Sequence, residues 1–437
     1  MVKGFTRIRN NIAKSVLKML AIDFKTKIII KNVAYSGGVK IATLCISFLS
    51  VPLLINYLNS TQYGVWLTII TVTSWFSIFD LGLGNGLKNK LIEFLSRDDL
   101  ISARKYVSTT YVSMLMICGF LCLVVYFLNP LIHWNKIFNI NGSSNSSISI
   151  ATSIVLIFTL LNLVLRLIYS LLHSYQQSYK VDVINLISQL TAFIALIIVK
   201  ILLNPSLIVV ACVFSLSQIF ILLVINIYLF RTTFKTLFPS FISFDSKIIR
   251  QVTNMGGQFF FIQIAGLVMY MTDNFIIARL FGPNDVTIYN IALKYFGILS
   301  MGWAMIAIPL WPMTTKAYYS NDMTWLSSTI KKLIKLWLAT ILVGIIMFLI
   351  SNIFYELWIG KKVTIPGSVS LSLLIYSCVS VFATIMATFI NGIGKIKLQV
   401  YITGFVAIIN IPLAILFSKT MNWGLIGVPA ATTVCLI

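Results

Sequence analysis

Acidic residues are scarce in this chain. Its 437 residues hold 11 Asp and Glu against 33 Lys and Arg, with only 2 His. His133 and His173 stand far apart, and no Asp or Glu cluster joins either one. The donor sets of zinc sites and of acid–base catalysis are therefore missing from the sequence. All six cysteines (Cys45, Cys118, Cys122, Cys212, Cys378 and Cys435) fall in apolar runs. Thiols in that setting behave as small hydrophobes, so no disulfide and no metal site is expected. Cys118 and Cys122 share a helix face but have no further ligands beside them. No GK[ST] phosphate loop occurs, so nothing here binds ATP in that manner. The first 30 or so residues are basic and amphipathic, without the continuous apolar core of a cleavable signal. Ile12, Val16, Leu17 and Leu20 share one face there, which predicts a helix lying on the membrane surface over part of 1–38.

Apolar sequence is abundant. Hydrophobic residues make up 59% of the chain, charged residues 10%, and mean hydropathy is +0.95. Such a chain needs a bilayer as its solvent, and a spanning helix needs roughly 20 apolar residues. Runs fall at 39–58, 63–87, 107–128, 147–171, 182–203, 206–230, 254–280, 287–312, 331–351, 367–390, 398–418 and 424–437. The last is too short to cross, at about 21 Å of helix, and reads as a truncated twelfth span. Of the 33 Lys and Arg, 25 fall before the first run, in every second gap, or at the edges of those segments. Lys136, Lys200, Arg279, Lys361, Lys362 and Lys419 fall on the other side, while Arg166 and Lys294 lie inside runs. Cationic loops resist translocation, so the Lys/Arg-rich side and the N-terminus are expected in the cytoplasm. The same bias accounts for the net charge of +22 through anionic lipid headgroups, leaving no call for nucleic acid.

The predicted fold is an all-α polytopic membrane protein of about 12 transmembrane helices. The gap at 231–253 divides it into a first lobe at 39–230 and a second at 254–437. Six spans per half gives both halves one orientation, a parallel repeat of the kind found in transporters with a path at the repeat interface. No gap is long enough for a soluble domain.

Ionisable groups inside spans are costly and usually face a bundle interior or a watered cavity. Five stand out: Asp80, Arg166, Asp273, Arg279 and Lys294. Counted from the run ends, Asp273 and Lys294 share one depth, and Asp80 and Arg166 another, so each couple is placed to form an ion pair. A purely structural pairing, or snorkelling of Arg166, is the competing account. Asn254, Gln258, Gln263, Tyr270, Asp273 and Asn274 spread over half of span seven and predict a cavity wall. Gly82, Gly84 and Gly86 follow Asp80 at alternate positions, suiting either a tight helix end or a hinge. Their spacing is not that of a phosphate cradle. Pro309 and Pro312 can bend span eight similarly. Trp75, Phe76, Tyr295 and Trp303 lie deep enough to stack on sugars, with helix packing the plainer role.

At Gln62-Tyr63-Gly64-Val65-Trp66 and then Ser74-Trp75-Phe76-Ser77-Ile78-Phe79-Asp80-Leu81-Gly82-Leu83-Gly84-Asn85-Gly86-Leu87-Lys88-Asn89, the chain resembles the Wzx-type polysaccharide flippases. These belong to the multidrug/oligosaccharidyl-lipid/polysaccharide (MOP) exporter superfamily. Asp273-Asn274-Phe275-Ile276-Ile277 and Tyr289-Asn290-Ile291-Ala292-Leu293-Lys294 are weaker echoes. The resemblance implies two six-helix lobes in a MATE-like V, with spans one, two, seven and eight facing the cleft. It implies transfer of an undecaprenyl-diphosphate-linked oligosaccharide across the bacterial inner membrane, with a polysaccharide polymerase and a chain-length regulator as possible partners. Lys294, then Arg166 and Arg279, would hold the diphosphate; Asp80 or Asp273 would carry H+ or Na+; no other cofactor is expected. A drug/cation antiporter or peptidoglycan-lipid flippase of the same superfamily, and a membrane polymerase or ligase, are the rival readings. The short outside gaps argue against the enzyme.

Overall fold

A computed structural model describes residues 24–437 apart from 77–79, 81–82, 141–144, 247, 250–263, 265, 269–270 and 394–395. Among the described residues every regular element is helical. The first bundle comprises α1 (Phe24–Leu58), α2 (Ser60–Trp75), α3 (Leu83–Ser96), α4 (Leu100–Leu128), the short α5 (Trp134–Ile137), α6 (Asn145–Leu165), α7 (Leu167–Ser174), α8 (Ser178–Leu202) and α9 (Leu207–Arg231). The second comprises α10 (Asp273–Phe281), α11 (Pro283–Tyr319), α12 (Met323–Ile359), α13 (Gly367–Ile393), α14 (Ile396–Ile415) and α15 (Gly427–Leu436). A single π-helical turn, Leu416–Thr420, follows α14.

Eight helical stretches among the described residues are long and apolar enough to cross a bilayer, from Gly37–Leu58 to Tyr401–Thr420. The chain is a multi-pass membrane protein. Side chains such as Phe120, Phe127, Ile201, Leu349 and Phe405 stand exposed on the bundle surface, where lipid tails are the fitting solvent. Ser and Thr within the helices, including Thr43, Ser50, Thr68 and Thr152, return their hydroxyls to carbonyls four residues back. That satisfies them without water.

Turns are set by a few residues. Asn59 takes a left-handed φ of 72° and accepts from the Gln62 amide, folding α2 back on α1. Asp99 caps α4 through Ser102, and Asp322 caps α12 through Trp325. Gly282 (φ 98°) and Gly360 (φ 72°) turn the chain where a side chain would be strained. Turns near 59, 204, 282 and 360 share one end of the molecule, the far end. Turns near 98, 176 and 321 share the other, the basic end.

Two expectations about elements change. The described residues of span two fall in two α-helices, α2 to Trp75 and α3 from Leu83. The Asp80 carboxylate accepts from the Gly84 amide (3.1 Å) in the first turn of α3. In span four a single turn residue, Arg166, separates α6 from α7, and its amide still donates to the Asn162 carbonyl (2.8 Å). Several helices also overrun their apolar runs; α11 and α12 each hold 37 residues.

Packing differs at the two ends. One apolar core at the far end draws on both bundles, joining Val51, Ile55, Val65 and Ile69 of the first to Ile277, Ala292, Phe296 and Leu373 of the second. Toward the basic end the core divides among the described residues. Leu83, Leu87, Leu160, Leu171 and Phe234 pack within the first bundle, and Trp303, Leu333, Val381 and Phe389 within the second. The two halves of span two follow the same division. α2 lies against α10 and α11 of the second bundle, while α3 lies against α4 and α7 of its own.

Candidate functional site at the seam between the bundles

The seam is sealed at the far end by close backbone approach. Gly64 sits so near the Pro283 carbonyl that no Cβ fits between them. Beside it Thr287 donates to the Ser60 carbonyl at 2.6 Å. Deeper, Asn274 donates to Thr71 (2.9 Å) and exchanges bonds with Asn290. Trp75 donates its indole N–H to the Met271 carbonyl (3.0 Å) and packs edge-on against Phe275.

Lys294 lies about 16 Å along α11 from Pro283, near mid-bilayer depth. Its ammonium donates to the Ser47 carbonyl of α1 (2.8 Å) and stands over the Phe48 ring. Trp358 stacks on that ring and donates to the Phe48 carbonyl. An ammonium has three donors, and among the described residues only the Ser47 carbonyl takes one. Lys294 thus sits in the seam where the far-end core meets the split.

Asp273 is the first residue of α10 and is 6% exposed. The Tyr289 hydroxyl donates to its Oδ2 at 2.7 Å, while Oδ1 is buried with no partner. The expected Asp273–Lys294 ion pair does not form. Among the described residues the ion pairs are Lys90–Glu93, Arg97–Glu93 and Lys361–Glu356, all near helix ends. Equal depth brings residues to one level but does not fix azimuth: α11 turns Tyr289 toward α10 and Lys294 toward α1. The second expected pair does not close either. Arg166 is near enough for its charge to act on Asp80, yet they make no direct contact, and the guanidinium instead stands over Tyr169 (5.5 Å).

Arg279 lies in the last turn of α10 at the far end, away from the cleft, and donates to the Lys136 carbonyl of α5 (2.6 Å). Gly84 and Gly86 of the expected hinge lie in the first turn of α3. At Gly84 the missing side chain brings α7 close, and Ser170 donates to the Gly84 carbonyl (2.8 Å). The predicted wall residues Asn254, Gln258 and Tyr270, with Gly82, lie outside the described residues. Missed by the sequence reading were Tyr289, Asn290 and Thr71. The signal was present, since Asp273-Asn274 and Tyr289-Asn290 face each other across the turn at Gly282.

A family model described as polysaccharide biosynthesis protein matches residues 29–318. The chain belongs to that family. A second model, MatE, matches residues 259–416. A Yersinia pseudotuberculosis protein named for O-antigen export is 24% identical over 417 residues, with 90% of each chain covered. A Salmonella typhi protein named for O-antigen transport is 22% identical, covering 88% of this chain and 92% of its own. Among solved structures, an inward-facing MATE transporter of the MOP superfamily matches with TM-score 0.71 at 16% identity, over 90% of this chain and 95% of its own. An inward-closed lipid II flippase, MurJ, gives 0.68 at 15% identity over 91% and 84%. An outward-facing MATE gives 0.57 at 14% identity over 90% and 92%. This member of the polysaccharide biosynthesis family therefore has the MOP transporter fold.

Proposed function

We propose that this protein is a flippase that carries an undecaprenyl-diphosphate-linked oligosaccharide from the cytoplasmic to the periplasmic leaflet of the bacterial inner membrane. The divided packing carries the reading: one core locks the bundles together at the far end, and among the described residues two separate cores form at the basic end. With the cationic loops in the cytoplasm, that conformation receives substrate from the cytoplasmic side. Rocking about the seam then exposes the cleft to the other leaflet. The relatives named for O-antigen export favour a saccharide cargo.

Lys294 holds the diphosphate in this scheme, because it offers free donors at mid-depth where the bundles part. Arg166 serves as a second cation, nearer the basic end. Asp273 carries the coupling H+ or Na+ through its unpartnered oxygen. The product passes to a polymerase acting with a chain-length regulator. The test is complementation of a flippase-deficient strain, with surface polysaccharide measured at matched protein level. Lys294→Ala is expected to abolish export and Lys294→Arg to retain part of it. Full export by a stable Lys294→Ala protein would refute the assignment. The MatE match keeps cation-driven drug export as the second reading; drug resistance without saccharide export would select it.

A further inference from the structure

Two cavities meet at Arg279 on the far end. The first, about 470 Å³, is lined by Arg279, Leu280, Phe281, Ser418, Lys419 and Asn422. The second, about 340 Å³, is lined by Trp75, Trp134 and Phe275 among others, with Lys136 and Arg279. The positive-inside bias leaves few cations at this end. Of the six Lys and Arg that stand against it, three (Lys136, Arg279 and Lys419) converge on these two cavities. None makes an ion pair among the described residues. No carboxylate lines either cavity, and all three cations are exposed, so an anion arriving from the far side meets charge of one sign.

Further details point the same way. Arg279 spends one donor on the Lys136 carbonyl, and a guanidinium has five, in a planar fork suited to phosphate. Ser418 also lines the first cavity, with its hydroxyl turned against Gly427. Lys419 is presented by the π-helical turn, a geometry that recurs at functional sites.

We propose that Arg279, Lys419 and Lys136 form a phosphoryl-binding station on the release side, distinct from Lys294. Its ligand is the phosphate or diphosphate head of a lipid, and the apolar walls of Trp75, Trp134 and Phe275 lie beside it for the attached groups. Only the identity of the natural ligand rests on the transport reading above.

The test uses the full chain in phosphatidylcholine nanodiscs, titrated calorimetrically with inorganic diphosphate at low salt. All variants carry Lys294→Ala, so loss at the cleft and loss at the far end are separated. In that background, saturable binding is expected. Arg279→Gln should weaken it at least tenfold, Lys419→Gln and Lys136→Gln each about threefold or more, and Arg279→Lys less than Arg279→Gln. Equal affinity in the parent and the Arg279→Gln/Lys419→Gln double variant, with unchanged melting temperatures, overturns the proposal. So does an absence of binding by a folded parent. Substituting phosphatidylglycerol into the disc identifies the source. Competition lost with Arg279→Gln supports the station and marks bulk anionic lipid as its occupant. A station that still binds diphosphate without competition supports one reserved for the diphosphate-bearing lipid.

Discussion

A single methyl group at Gly64 should tip the balance between conformers. Its Cβ would collide with the Pro283 carbonyl, a backbone group with no rotamer to move, while also pressing on the Thr287 hydroxyl. The bundles must then separate locally. Overpacking of this kind costs about 1–3 kcal/mol. Separation also stretches the Thr287–Ser60 hydrogen bond, worth about 0.5–1.5 kcal/mol. Both losses fall on the far-end-closed state alone, because the Gly64–Pro283 contact joins opposite bundles. A combined shift of about 2–4 kcal/mol changes the conformer ratio on the order of a hundredfold. The assay is a spin-label distance distribution across the basic end, with labels at Arg97 and Ser327 in a background lacking the six native cysteines. Both positions are exposed, one on each bundle. Gly64→Ala should move population from the long-distance to the short-distance component. An unchanged distribution in a protein of normal melting temperature would show that this contact does not set the equilibrium.

Other outcomes follow from named contacts. Tyr289→Phe removes the one hydrogen bond to the Asp273 carboxylate; it should destabilise the fold by about 1–3 kcal/mol, read as a lower melting temperature in detergent, and Asp273→Asn should recover part of that loss in the Tyr289→Phe background. Gly427→Ala drives a Cβ into the Ser418 backbone amide and should cost about 1–3 kcal/mol, measured in the same way. Asp322 donates no proton but accepts from the Trp325 amide and the Thr324 hydroxyl, which hold its carboxyl below the ordinary 3.8. The contribution of this cap is full above pH 3.8 and disappears as pH falls through the depressed value. The melting-temperature gap between the parent and Asp322→Ala should therefore be present at pH 7 and vanish in strong acid.

Fold class was legible because it rests on apolar run length and on which loops carry cations, and both are one-dimensional properties. The Asp80–Gly84 contact in span two was not. Ser74 to Leu87 is apolar on both sides of Asp80, and nothing in its periodicity shows a carboxylate capping Gly84 instead of reaching a cation. The individual site residues were legible as types. Lys294 stood out as a cation at mid-span, and Asp273 as an acid beside it in depth. Their partners were not, since helix azimuth depends on how each bundle packs. The significance of Arg279, Lys136 and Lys419 was hidden for a similar reason. They lie in three separate segments of sequence, and only folding brings them to adjoining cavities.

The chemistry of the seam explains part of that opacity. Lys294, Trp358, Arg279 and Thr287 of the second bundle donate to the carbonyls of Ser47, Phe48, Lys136 and Ser60 of the first. A carbonyl belongs to every residue, so the accepting side leaves no mark in the sequence. It also suits a contact that opens and closes. Each such bond is worth about 0.5–1.5 kcal/mol net, with more for the charged donors, so the four add only a few kcal/mol to what the shared apolar core contributes. An increment of that size is one that differential binding of a ligand can offset. A buried salt bridge in the same place would leave two uncompensated ions on opening, at several kcal/mol each. The lack of interbundle ion pairs among the described residues suits a seam that parts under the proposed transport scheme. Placing an acid at Ser47 to pair with Lys294 should lock it: Ser47→Asp is expected to raise the melting temperature and lower export, and an export rate equal to the parent's would refute this account of the seam.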